Sequence, residues 1–137
     1  MLFEYTTSPA IPSLKIGSPL VDITLYYAGR EITVPALVDS GSDISIFPYE
    51  VGLQLGFVWE EQITPVPLGG VFENVPACAV LVRGEIPGLP ASALVCAWAK
   101  MPGRKSRVIL GQMNFFRQYK ITFEGYKNAF DISPRPS

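Results

Sequence analysis

The residues of this chain best placed for chemistry lie in Ala36-Leu37-Val38-Asp39-Ser40-Gly41-Ser42-Asp43-Ile44-Ser45. An acidic residue straight after an apolar run, followed by Ser-Gly-Ser, puts a carboxylate in a turn with buried flanks. Backbone N–H and side-chain O–H donors then surround it. A plainer reading of the same residues is an Asx turn in which Asp39 bonds its own backbone. Alternatives elsewhere are few, because the sequence has 0 His among 137 residues. That excludes a Ser-His-Asp or Cys-His nucleophile pair, a His-based zinc site and a His proton shuttle. Acid–base chemistry near neutral pH is left to carboxylates, Lys, Tyr or Cys.

Composition bounds the partners. The length suits one compact domain and not two. Charged residues make up 17%, against about 25% in an ordinary soluble domain, and mean hydropathy is +0.26. Some apolar surface is therefore expected to lie against a partner. With 11 basic and 12 acidic residues and a net charge of −1, there is no broad positive field for phosphate backbones, so nucleic acid is not an expected partner. The densest basic cluster, Arg104, Lys105 and Arg107 beside Pro102 and Gly103, reads as a solvated loop. Cys78 and Cys96 sit among apolar neighbours without a CxxC spacing, which favours buried free thiols over a bridge. The N-terminal residues lack the basic and long apolar regions of a signal peptide. The longest apolar run, 93–99, is far short of the roughly 20 residues that span a bilayer. The expectation is a cytoplasmic protein with no membrane partner, no metal and no cofactor.

The elements that must position Asp39 follow a period of two almost throughout. Val21, Ile23, Leu25 and Tyr27 alternate with Asp22, Thr24 and Tyr26, and Ala28-Gly29-Arg30 turns the chain into 31–38, predicting a hairpin. A short strand at 44–47 leads through Pro48 into one short helix, stopped by Gly56. A further strand is expected at 57–64. Next comes a mobile connection, Pro65-Val66-Pro67-Leu68-Gly69-Gly70, and a return through 75–83. Residues 91–100 and 107–110 read as buried runs, 112–118 as two helical turns, and 120–123 with 127–132 as a closing hairpin. Residues 133–137 are expected to fray. Many short strands with 13 Pro and 12 Gly at the joints imply an all-β barrel or sandwich with one or two short helices. It forms a single domain, with a core at about 20–132 after an N-terminal segment at 1–19.

Residues 36–47 resemble the active-site loop of the retroviral-type, or retropepsin-like, aspartic proteases, in which a hydrophobic strand runs into Asp-Thr/Ser-Gly-Ala/Ser-Asp and a second short strand. Two further elements occur in the family's order. Leu68-Gly69-Gly70-Val71 falls where the family has a glycine-rich flap, and Val108-Ile109-Leu110-Gly111-Gln112-Met113-Asn114-Phe115-Phe116 looks like its apolar run with a Gly opening a short helix. The resemblance covers roughly 21–132, the middle third in pattern only.

The resemblance implies a small closed acid-protease barrel with Asp39 as the catalytic carboxylate. Ser40 would hold the paired loops together through its hydroxyl, and Gly41 would let backbone pass close to carboxylate and substrate. Ser42 matches the Ala/Ser position; its hydroxyl, donating to the ionised carboxylate, would shift activity toward acid pH. Asp43 would bind substrate main chain or simply cap the turn. Gly69 and Gly70 would lie in the flap over an extended peptide or protein substrate. The mechanism needs two such carboxylates within about 3 Å sharing a proton, the aspartic-protease pattern. The sequence carries one Asp-Ser-Gly, so the resemblance implies a homodimer with one Asp39 from each subunit. The competing reading is a catalytically weak or silent dimer of the same fold that binds peptides or a protein.

Overall fold

The computed structural model describes residues 1–7, 17–101 and 107–137. Its elements in chain order are β1 (Leu2–Glu4), β2 (Thr6–Thr7), β3 (Gly17–Ser18), β4 (Leu20–Tyr27), β5 (Arg30–Val38), β6 (Ser45–Pro48), α1 (Tyr49–Gln54), β7 (Ala77–Glu85), β8 (Ser92–Ala99), β9 (Val108–Leu110), β10 (Tyr119–Glu124) and β11 (Ala129–Pro134). The expected solvated loop at Pro102, Gly103, Arg104 and Lys105 lies outside the described residues.

The alternation at 21–27 becomes a two-faced ribbon. Val21, Ile23 and Leu25 are buried while Asp22 is exposed, and β4 pairs antiparallel with β5 from Leu20↔Leu37 to Tyr27↔Arg30. Ala28 (φ 49) and Gly29 (φ 81) both lie in the left-handed region, as a two-residue turn matching strand twist requires. Six strands close a barrel in the order β4-β5-β9-β6-β8-β7. β5 with β9 and β6 with β8 are parallel pairs, and the other four pairings round the barrel, including the closing β4–β7, are antiparallel.

Two apolar clusters explain why β6 and β9 read as unbroken runs. Phe47, Val108 and Leu110 join the main core with Trp98 and Phe130. Their neighbours Ile46 and Ile109 join a second cluster with Ala97, Ala99 and Met101, packed against Leu68 and Phe72. A strand buried on both faces has no reason to alternate.

The helix is legible at both ends. Pro48 precedes α1, and Gly56 (φ 90) ends it, with Phe57 N–H donating to Gly52 O (3.0 Å) and Gly56 N–H to Leu53 O (3.0 Å), a Schellman closure. Trp98, fully buried, donates its indole N–H to Tyr49 O (3.0 Å) and stacks on the Tyr49 ring at 5.4 Å.

Three local expectations change. Residues 57–64 are not a strand: Trp59–Glu61 form a 3-10 turn that sets the Trp59 ring edge-on to Trp98 at 5.2 Å. Only Pro65 bridges to Cys78. Aromatic burial here outweighs β propensity. Gln112–Phe116 is an irregular wide turn, with Met113 extended (ψ 126) and Asn114 left-handed (φ 65), in place of two helical turns. The Asn114 Oδ1 accepts from Val95 N–H (3.2 Å), which explains the break. Finally, β11 continues past 132, pairing Ser133 with Lys120 and Pro134 with Tyr119. From the N-terminal segment, β1 lies against β11, and Phe3 stacks on Phe130 at 5.3 Å; residues 8–16 of that segment lie outside the described residues.

Two predictions follow from the packing. Gly→Ala inside a helix ordinarily gains about 1 kcal/mol, yet a Cβ on Gly52 would run into Nε1 and Cε2 of Trp98. Overpacking costs about 1–3 kcal/mol, so Gly52→Ala should lower the urea midpoint rather than raise it. Cys78 and Cys96 are free and buried. Burial pushes the Cys78 thiol up and the Cys96 thiol from 9.0 to about 12. The native state therefore keeps a proton that the unfolded chain loses, and the contribution of Cys96 to stability, whole below about pH 9, should fall away between there and about pH 12. Melting curves across that range should show a shallower pH slope in Cys96→Ala than in the wild type.

Candidate active site

Ala36 and Val38, both buried on β5, deliver the chain to Asp39 at the barrel's surface. There its backbone N–H donates to Leu110 O (3.0 Å) and its carbonyl accepts from Ser42 N–H (3.2 Å). The Asp39 Oδ1 accepts from Gly41 N–H at 2.9 Å, so the carboxylate of this half-exposed residue is aimed by its own loop. A Cβ on Gly41 would come within 3.2 Å of that oxygen, which is why a residue without one suits the position.

The loop is locked from the other end of the chain. Gly111, just past β9, would drive a Cβ to 2.6 Å from both Ser42 O and Ile44 O. Its φ of −115 is ordinary, so the requirement here is for space and not for conformation. The Gly111 N–H donates to the buried Ser45 Oγ (3.0 Å). Gln112 N–H donates to Ser42 O (2.8 Å) and Met113 N–H to Asp43 O (2.9 Å). The Gln112 side chain adds a bond from Nε2 to Ser40 O (2.8 Å).

A cleft of about 390 Å³ opens beside the loop. Asp39, Gly41, Ser42 and Asp43 line one side, Pro67, Leu68, Gly69, Gly70 and Phe72 the other, with Ile44, Ile46 and Ile109 between them. The two Asp residues are the charged residues of this lining. Gly70 (φ 61) opens a 3-10 turn, Gly70–Phe72, in a conformation that favours glycine.

The structure thus brings Asp39, Gly41, Ser42, Asp43, Gly69 and Gly70 to one cleft. Ser40 is exposed on the same loop. One expectation is corrected: the Ser42 hydroxyl donates to Ile44 O (2.7 Å) rather than to the carboxylate, satisfying a carbonyl beside the Gly111 crossing. The acid shift argued from that hydroxyl loses its basis. Sequence reasoning gave no role to Ser45, Gln112 or the Ile46 and Ile109 floor. The only signal for them was their place beside Gly111 or within apolar runs.

Because backbone oxygens cannot yield as a flexible side chain can, Gly111→Ala should destabilise the fold by about 2 kcal/mol or more. Urea unfolding would measure it, and a loss well below 1 kcal/mol would mean that the crossing is looser than these contacts imply.

No family model and no curated protein matches the sequence. Solved structures do match in fold. The chain is similar to the retropepsin-like aspartic protease from Rickettsia conorii at TM-score 0.62 and 13% identity, over 96% of this chain and 90% of that one. It is also similar to the EIAV protease solved with the inhibitor HBY-793, at TM-score 0.53 and 20% identity, over 69% of this chain and 81% of that one. The closed β-barrel described above is therefore a small retropepsin-like fold.

Proposed function

We propose that the chain is one subunit of a homodimeric aspartic endopeptidase acting on extended polypeptides, with Asp39 of each subunit forming the catalytic pair. The observation that carries this reading is the Asp39 carboxylate, oriented by Gly41 N–H at 2.9 Å at the mouth of an apolar-floored cleft. The fold shared with a retropepsin-like aspartic protease and with the EIAV protease supports it. Each chain supplies one Asp-Ser-Gly loop, and one carboxylate cannot be both acid and base in the same step.

In the pair, like charges about 3 Å apart cannot both ionise, so the two carboxyl groups share one proton. The ionised one accepts a proton from a water held between them while the other donates to the scissile carbonyl oxygen. Water oxygen bonds to carbon, giving a tetrahedral diol. The C–N bond then breaks as the nitrogen takes a proton from the protonated carboxyl group and one diol hydroxyl gives its proton to the ionised one, releasing a carboxylic acid and an amine and leaving the pair in its starting state. Its apparent pKa values belong to the pair. Ser40 would bond across between the two loops, and Asp43 would accept main-chain N–H groups of a substrate gripped as an added strand. The segment with Gly69 and Gly70 would close over it and exclude water.

Asp39→Asn keeps the shape and removes the base. General acid–base loss predicts a fall in kcat of about 10²–10⁴-fold, with the melting temperature little changed, in assays of an unstructured protein substrate at acid pH. The wild type should sediment as a dimer under the same conditions. A wild type that binds such peptides with no turnover between about pH 3 and 7, the range around carboxylate titration, would replace this reading with the peptide-binding one. A purely monomeric wild type would remove the paired site.

A further inference from the structure

We infer that Gln112 is a positioning residue of the site, holding the Ser40–Gly41 peptide unit so that its N–H points at the Asp39 carboxylate. This deepens the protease reading and, for its catalytic consequence, rests on it. Gln112 Nε2 donates to Ser40 O at 2.8 Å, and Gly41 N–H donates to Asp39 Oδ1 at 2.9 Å. That carbonyl and that N–H belong to one peptide unit. Because the unit is planar, fixing the direction of its C=O fixes its N–H, which points the opposite way. The relay runs from Gln112 through the peptide to the carboxylate, and each bond polarises the next. A carbonyl that accepts a hydrogen bond makes its own N–H the stronger donor.

Gln112 is well anchored for this task. Its backbone N–H is bonded to Ser42 O (2.8 Å) and the next N–H to Asp43 O (2.9 Å), so the side chain rises from a base already fixed to the same loop. The Ser42 and Asp43 carbonyls are held by β9's continuation through backbone alone, whereas Ser40 O is held by a side chain that mutation can remove. The residue itself is exposed, so substitution leaves no cavity. A loop free to rotate its Ser40–Gly41 peptide would let the carboxylate turn from the direction in which a second carboxylate must meet it.

The test uses Gln112→Ala, Gln112→Glu, whose carboxylate repels the Ser40 carbonyl, and Gln112→Arg, which restores a donor of sufficient reach. The Gly41 amide should lose hydrogen-exchange protection and shift upfield by NMR in the Ala and Glu variants, and recover toward wild type in the Arg variant. Melting temperatures should stay near wild type. With a peptide substrate, kcat should fall about tenfold to a hundredfold in the Ala and Glu variants, as misplacement of a reacting group does, while KM changes little and Arg restores kcat. A folded Gln112→Ala protein with an unmoved Gly41 resonance overturns the inference, and so does a kcat loss that Arg fails to rescue. If the wild type cleaves nothing, the protease reading falls, and the relay still stands or falls on the Gly41 resonance.

Discussion

Where the chain leaves β9 it must pass over the loop that leaves β5, and the whole arrangement depends on that crossing being made by bare backbone. β9 is parallel to β5 through Ala36↔Val108 to Val38↔Leu110 and meets β6 at Ile46↔Ile109. The two loops beyond it therefore have to cross. At Gly111 they are too close for a Cβ, with Ser42 O and Ile44 O in its place. Such proximity would be costly if it stranded buried polar groups. Instead it pairs them: Asp39 N–H with Leu110 O, Gln112 N–H with Ser42 O and Met113 N–H with Asp43 O. The Gly111 N–H goes to Ser45 Oγ. The loop that carries the carboxylate is held by the same bonds that satisfy the crossing.

The same three residues of β9 also set the floor beside that carboxylate. Val108 and Leu110 face the main core, while Ile109 faces the second cluster with Ile46 and carries Leu68 and Phe72 on top of it. The floor thus rides in part on one short, fully buried strand, which pairs along its length with β5, the strand that leads to the carboxylate. The opposite wall is built differently. Pro67, Gly69 and Gly70 belong to a connection that pairs with the barrel only near Pro65. One wall of the cleft is thus tied into the core and the other only lightly bonded to it, an arrangement in which one wall can move while the other stays in place.

The low charge content is accounted for in part inside the chain. Strands buried on two faces, and an aromatic group in which Tyr49 stacks on Trp98 while Trp59 meets both edge-on, use more apolar side chain than a one-faced sheet would. Lys100 extends over the Tyr49 and Trp59 rings at 5.3 Å from each, so one of the few cations is spent covering aromatic surface.

Features that depend on near neighbours could be read from the residues. The β4–β5 hairpin, the helix stopped at Gly56, the return strand β7 and the closing pair β10–β11 follow from patterning and turn residues, and β8 falls within a run that read as buried. Asp39 taken alone read equally well as an Asx turn; it stood out because residues 36–47, 68–71 and 108–116 resemble three elements of one family in that family's order. Other features rest on contacts between distant parts of the chain, and no local pattern carries those. Residues 57–64 gave up a strand because Trp59 has Trp98 to pack on. The expected helical turns at 112–118 are broken at Met113 and Asn114, where Asn114 serves Val95, 19 positions away. Ser42 turned its hydroxyl from the carboxylate to a carbonyl at the Gly111 crossing, and Gln112 found Ser40 across 72 positions. Residue order specified which group could do chemistry. Its surroundings were set only when β9 settled between β5 and β6, since hydrogen-bond direction and burial belong to neighbours in space.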